Sequence, residues 1–189
     1  KVQSKIHWPP HRVLEFGAGA ALPSMVLLKE GAEQLICTDR KANEMTFYAL
    51  ELSFKKNCEK WGITDEERKR RVLVEEHTWG EDIYKLTEDG GDFDVLVASD
   101  CIYNPTYHKA LLRSAVGSIS KQKGIFIVGY SFHMNVPPEE VMQFFELAKS
   151  EEYGFEVISE LKKEFKEGQK WIGSEDPDRG TVYVKVLVH

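Results

Sequence analysis

Much is missing from this chain of 189 residues. It has three cysteines, Cys37, Cys58 and Cys101, an odd number with no C-x-x-C pair. That argues against a zinc site and suits a reducing compartment, so a cytoplasmic location is expected. No apolar run reaches membrane-spanning length and no signal peptide is visible, so no membrane partner is expected. Positive charge is not in excess. Lys and Arg total 25 against 31 acids, and the net charge of −6 speaks against nucleic acid as a partner. The six histidines never fall in H-E-x-x-H spacing, so no metal is expected. There is no internal repeat and no low-complexity tract. The chain does not begin with Met, and an upstream segment is expected to have been trimmed.

What is present is an alternation of apolar runs with helix-period segments, the pattern of a parallel sheet flanked by helices. The length fits one domain spanning residues 1–189. Strands are expected at Arg12–Phe16, Leu35–Thr38, Val72–Glu76, Phe93–Ser99 and Gly124–Tyr130. Helices are expected over Leu22–Glu30, ending at Gly31, and over Ala42–Trp61, ending at Gly62. In the second of these, Met45, Ala49, Leu52 and Lys56 lie along one stripe. Arg68-Lys-Arg-Arg71 follows Asp65-Glu-Glu67 and reads as a solvated, self-compensating surface. Asn104-Pro105 opens a helix with Leu111, Leu112, Ala115 and Ile119 inward. Pro137-Pro138-Glu139-Glu140 opens the last helix, whose buried stripe is Val141, Phe144, Phe145 and Ala148. Phe155–Glu160 and Thr181–Val188 are strand-like. The segment between them carries Gly168, Gly173, Pro177 and Gly180 and has no convincing helical pattern, so the two strands form an antiparallel hairpin. The class is therefore α/β, a doubly wound and mostly parallel sheet.

The chemistry concentrates at strand ends. Val13-Leu-Glu-Phe-Gly-Ala-Gly-Ala-Ala21 is an apolar strand running into a glycine turn, where a ligand can lie against bare backbone. Asp39 ends the next apolar run, 22 residues after Gly17. A carboxylate there can accept hydrogen bonds from both ribose hydroxyls, although it can equally cap the following helix. The dinucleotide fingerprint needs a glycine at position 22, and that residue is Leu22. Glu15 adds negative charge beside the turn, which suits a cationic ligand and repels phosphate. S-adenosylmethionine carries an ammonium and a sulfonium and no phosphate.

These residues resemble a family. Val13-Leu-Glu-Phe-Gly-Ala-Gly-Ala-Ala-Leu-Pro23, Thr38-Asp39, Trp79-Gly80 and Ser99-Asp-Cys-Ile-Tyr-Asn-Pro105 with His108 and Leu111-Leu112 are similar to the seven-strand S-adenosylmethionine-dependent methyltransferases. Asp100-Cys-Ile-Tyr103 is typical of the branch with many protein-lysine methyltransferases. The Tyr-Asn-Pro-x-x-His form, with Tyr130-Ser-Phe-His133, resembles the nicotinamide N-methyltransferase-like subgroup, whose members modify the amino-terminal region of translation elongation factor 1-alpha. The resemblance covers residues 12–188. It implies a Rossmann-like sheet of order 3-2-1-4-5-7-6 with strand seven antiparallel. Two departures stand out: Ala21 replaces a third glycine found in many relatives, and the upstream segment that helps close the pocket is mostly absent.

The resemblance also assigns roles. Glu15, Gly17, Ala18, Gly19, Asp39, Trp79 and Ser99 would hold the cofactor, with Trp79 against adenine unless it is a core residue. Asp100 and Tyr103 would be catalytic, and Tyr103, Asn104 and His133 would meet the substrate. The alternative for Asp100-Cys-Ile-Tyr103 is a strand end that caps the next helix. His77, His108 and Cys101 are expected to be structural. Lys162–Arg179, with Trp171, is either a substrate lip or a solvent loop. The implied activity is methyl transfer to an amine of a protein, a lysine or an N-terminal amine, by a monomer that works without metal. The alternatives are a small-amine methyltransferase, a non-catalytic cofactor-binding module and, more distantly, a nicotinamide-dinucleotide reductase.

Overall fold

Seven strands share one sheet in the order β3-β2-β1-β4-β5-β7-β6. A computed structural model describes residues 8–40, 44–87, 92–133, 136–164 and 181–189. β1 (Arg12–Phe16), β2 (Gln34–Asp39), β3 (Val72–Glu76), β4 (Val95–Ser99) and β5 (Ile125–Tyr130) are mutually parallel. β7 (Thr181–Val188) runs antiparallel to both β5 and β6 (Glu156–Glu164). The expected order and the reversed seventh strand are thus observed. The expected loop between β6 and β7, with Gly168, Trp171, Gly173, Pro177, Arg179 and Gly180, lies outside the described residues.

All five residues of β1 are buried, and so are the first four of β4, as strands covered on both faces require. Their side chains alternate between two cores. Leu14, Phe16, Leu96 and Ala98 join Phe126 in a core closed by α4 (Tyr84–Thr87), α5 (His108–Ser118) and α6 (Pro138–Ala148). Val13, Val95 and Val97 face the other core, closed by α1 (Leu22–Lys29) and α2 (Glu44–Lys60). The stripes expected for α5 and α6 are buried to 1 % exposure or less. Each buried Leu or Phe contributes about 1.5–3 kcal/mol. Asn104 accepts a hydrogen bond from Thr106 N, opening a 3₁₀ turn (Pro105–Tyr107) that leads into α5.

Two expectations fail on the α1–α2 side. The stripe that α2 buries is Leu50, Phe54 and Cys58, not Met45, Ala49, Leu52 and Lys56. Met45 is 65 % exposed and Leu52 37 %. Both sets have i, i+4 spacing, and the set with the large Phe54 ring takes the core. The expected start at Ala42 lies outside the described residues. The charged segment is also a helix, α3 (Asp65–Arg71), capped by the Thr64 hydroxyl, which accepts from Glu67 N. Its basic residues are not all solvated. Arg68 is 6 % exposed and paired with Asp65 and Glu51. Arg71 pairs with Glu67 and donates to the carbonyls of Leu28 and Ala32 at the end of α1. The guanidinium groups do what an apolar stripe does elsewhere: they tie a short helix to its neighbours.

Candidate active site

Strand order reverses between β1 and β4, and a crevice opens past the carboxyl ends of the strands there. A cavity of about 380 Å³ fills it, within the range of small-molecule sites. Its walls are Gly17, Asp39, Arg40, His77, Thr78, Trp79, Asp100, Cys101, Tyr103 and Tyr107.

The floor is the turn after β1. Gly17 has φ +59, and a Cβ there would lie 2.9 Å from both Cys101 Sγ and Trp79 Cζ2. Glycine is needed at this position because protein closes on it from two sides. Gly19, at φ +51, has nothing within 4 Å, so only its backbone angle requires glycine. Ala18 N–H donates to Thr38 O, and Gly19 N–H to Asp39 Oδ2 at 2.8 Å. The other oxygen of Asp39 takes Arg40 N–H at 2.7 Å. Asp39 is thereby fixed between the first two strand ends. Ala21, where many relatives carry glycine, sits in the left-handed region at φ 51 and is fully buried.

Glu15 does not reach the cavity wall. It is 1 % exposed beneath the turn, and its Oε2 accepts the Ser24 N–H at 3.1 Å. Helix α1 has no side-chain cap of its own, so Glu15 satisfies a free donor of its first turn. Burial pushes the Glu15 carboxyl up to about 7; the bonds from Ser24 pull it down and the Asp39 charge raises it further.

The two flanking walls both hang from α5. Ser114 Oγ accepts Gly80 N–H and lies 2.9 Å from His77 Nε2, which pins the segment carrying Trp79. Trp79 meets Tyr107 edge-on, with centroids 6.3 Å apart. On the other side, His108 is 2.8 Å from Ile102 O through Nε2, which holds the Asp100–Tyr103 loop. Burial lowers the pKa of both His77 and His108. Both hold neighbouring segments in place, and His77 also lines the cavity. Cys101 is buried with its thiol near Phe16 O, and burial raises its pKa to about 12. A protonated thiol of this kind is no nucleophile.

Asp100 has φ +56, a left-handed angle that directs the chain out of β4. Its Oδ1 accepts from His133 Nε2 at 2.8 Å, with Ser131 Oγ at 3.5 Å. The Tyr103 ring meets His133 edge-on at 5.7 Å. So Gly17, Asp39, Trp79, Asp100 and Tyr103 converge on the cavity, and His133 joins them through Asp100. Glu15, Ala18, Gly19, Ser99 and Asn104 are not on the wall. Ser99 continues the side of β4 that carries Val95 and Val97, and Asn104 is occupied as a cap. Sequence reasoning missed Arg40, Thr78 and Tyr107. Arg40 adjoins Asp39 and Thr78 adjoins Trp79, whereas Tyr107 ends the 3₁₀ turn that follows Tyr103 and Asn104.

Solved methyltransferases share this architecture. A SAM-dependent methyltransferase from Anabaena variabilis superposes with TM-score 0.64, covering 99 % of this chain and 80 % of that one at 14 % identity. The [4+2]-cyclase SpnF does so with TM-score 0.62, at 12 % identity over 99 % of this chain and 78 % of that one, so the fold alone does not name a reaction. The sequence is more specific. Residues 3–151 match the family model described as lysine methyltransferase, and the chain belongs to that family. The protein N-terminal and lysine N-methyltransferase EFM7 of Yarrowia lipolytica is 32 % identical over 162 residues, covering 80 % of this chain and 59 % of that protein. The EFM7 protein of Schizosaccharomyces pombe is 29 % identical, covering 80 % of this chain and 58 % of that protein. The chain thus spans less than two thirds of the length of these curated relatives.

Proposed function

We propose that this chain carries the core of an S-adenosylmethionine-dependent enzyme that methylates an amine of a protein, a lysine side chain or an N-terminal amine. The observation that carries this reading is the cavity between β1 and β4, where a fixed carboxylate on one side faces an acid and a tyrosine on the other. The residues fit the cofactor. Asp39 is placed to accept from a ribose, Trp79 offers an apolar face to adenine, and the Gly17 backbone permits close approach. The first turn of α1 does not fit a pyrophosphate. Pro23 has no N–H and the Ser24 N–H is taken by Glu15. A dinucleotide needs donors at that helix end, and it would meet a buried acid instead.

Bound S-adenosylmethionine supplies a methyl group already activated on a sulfonium. What remains for the chain is to hold a neutral amine in line, and positioning of this kind supplies about 7–11 kcal/mol. In this reading Asp100 and Tyr103, both on the cavity wall, meet the acceptor. An amine-lysine titrates near 10.4 in water and must shed a proton first, which desolvation beside a cation favours. From the resemblance of Tyr103-Asn-Pro105 and Tyr130-Ser-Phe-His133, the proposed acceptor is the amino-terminal region of translation elongation factor 1-alpha.

The test uses the full-length protein with tritiated S-adenosylmethionine in a methylation-deficient extract, followed by mass spectrometry of the labelled species. Label on an amine of a protein is expected. Label confined to small molecules would replace this reading with a small-amine methyltransferase. Absence of S-adenosylmethionine binding by calorimetry would overturn it.

A further inference from the structure

Beside the cavity, one histidine is hydrogen-bonded to a carboxylate of its wall. His133 Nε2 lies 2.8 Å from Asp100 Oδ1, and an ionised carboxylate only accepts. In the neutral ring this contact puts the proton on Nε2 and leaves the lone pair on Nδ1. Among the described residues Nδ1 has no hydrogen-bond partner. The ring is kept in place by Tyr103 edge-on at 5.7 Å. Both members of the pair are about half exposed, with side chains 44 % and 52 % accessible. A pair that served stability alone would gain little at that exposure.

From this geometry we infer that His133, oriented by Asp100, is the base that takes the proton from the acceptor ammonium, Nδ1 being the receiving atom. The inference rests on the proposed amine methylation. One N–H bond of the ammonium breaks and one Nδ1–H bond forms. The imidazolium so made sits beside the Asp100 carboxylate, and its proton leaves to solvent from the exposed ring before the next turnover. Asp100 then has an orienting role, as the third group does in other base-activated sites. Among the described residues, the titratable groups in contact with His133 are Asp100 and Tyr103 of the β4–α5 loop. Asp39, Arg40 and His77 line the cavity together with Asp100 and Tyr103, and His133 borders it through Asp100.

The test combines a pH profile with a measurement that needs no turnover. Full-length protein and its His133→Gln variant are assayed from pH 6.5 to 9.5 with tritiated S-adenosylmethionine and unmethylated elongation factor 1-alpha. A general base contributes about 10²–10⁴ in rate, so the variant is expected to lose roughly 100-fold in kcat at pH 7. The loss should shrink at high pH, where the acceptor deprotonates unaided, and imidazole should restore activity to His133→Gly. In ¹⁵N NMR of the free protein the His133 ring should carry its proton on Nε2, and Asp100→Asn should abolish that preference. A loss parallel at every pH, no loss, or an Nδ1-protonated ring would overturn the base assignment alone. If the unmutated protein labels no protein at any pH, the proposed function falls as well.

Discussion

The two acids of the cavity are held in opposite ways. Asp39 receives two backbone N–H groups, from Gly19 and Arg40, at 2.8 and 2.7 Å. Asp100 receives side chains, from His133 and Ser131, and stands at a left-handed backbone angle. Main-chain donors do not swing away, so Asp39 is an acceptor of fixed position, suited to binding. The donors to Asp100 can titrate or swing away, so that acid sits in a network able to move a proton. In the proposed reading, the carboxylate gripped by backbone belongs to the binding half and the carboxylate paired with imidazole to the reacting half.

The largest expected effect would break this comparison at the reacting half. Asp100→Asn should lower kcat about 10²–10³-fold while changing S-adenosylhomocysteine affinity less than about threefold, by steady-state kinetics and calorimetry. If affinity falls as much as kcat, the division into halves is wrong. Next comes the binding half. Asp39→Ala removes the acceptor and frees two backbone donors, and charged hydrogen bonds contribute about 1.5–3 kcal/mol each, so calorimetry should read a loss on the order of 100-fold in cofactor affinity.

The floor beneath both halves gives smaller effects. Gly17→Ala forces a Cβ to 2.9 Å from Trp79 and Cys101 at a positive φ, and should destabilise by about 1–3 kcal/mol in chemical denaturation. Glu15 makes stability depend on pH. Its folded pKa of about 7 lies above its ordinary 4.5, so the folded state holds the extra proton. The stability it contributes is present at low pH and is lost as pH rises from about 4.5 through about 7, by roughly 3 kcal/mol. His77 and His108 act with the opposite sign, because their lowered pKa values make the folded state shed protons first. The clean measurement is therefore the difference between wild-type and Glu15→Gln melting temperatures, which should grow in favour of the variant from pH 5 to 8. The smallest effect is at Ala21→Gly. Relief of a left-handed alanine, about 1–2 kcal/mol, is offset by chain entropy and a lost buried methyl, so the melting temperature should move by less than about 3 °C.

Much of this was legible beforehand, and what was not has physical reasons. The central strands announced themselves because strands covered on both faces must be apolar throughout. α3 was invisible to hydrophobic periodicity, since Asp65–Arg71 contains no apolar residue; only the Thr64-x-x-Glu67 capping pattern marked it. On α2 two stripes of helical spacing competed, and spacing cannot say which one meets the core. At the site, the glycine turn and Asp39 were readable because one strand end carries them next to another. The Asp100–His133 contact joins residues 33 apart, across two strands, and no local pattern encodes it. Glu15 was misplaced for a similar reason. Its partner is Ser24, and a helix without its own cap is recognised only once the backbone is seen.

Helix α5 holds the Trp79 segment through Ser114 and the Ile102 carbonyl through His108, six residues apart on one rigid rod. The two jaws of the crevice therefore share a single hinge pin. A substitution that moves that rod therefore disturbs both jaws at once, while the β1 floor, held by its own strand pairing, keeps its place.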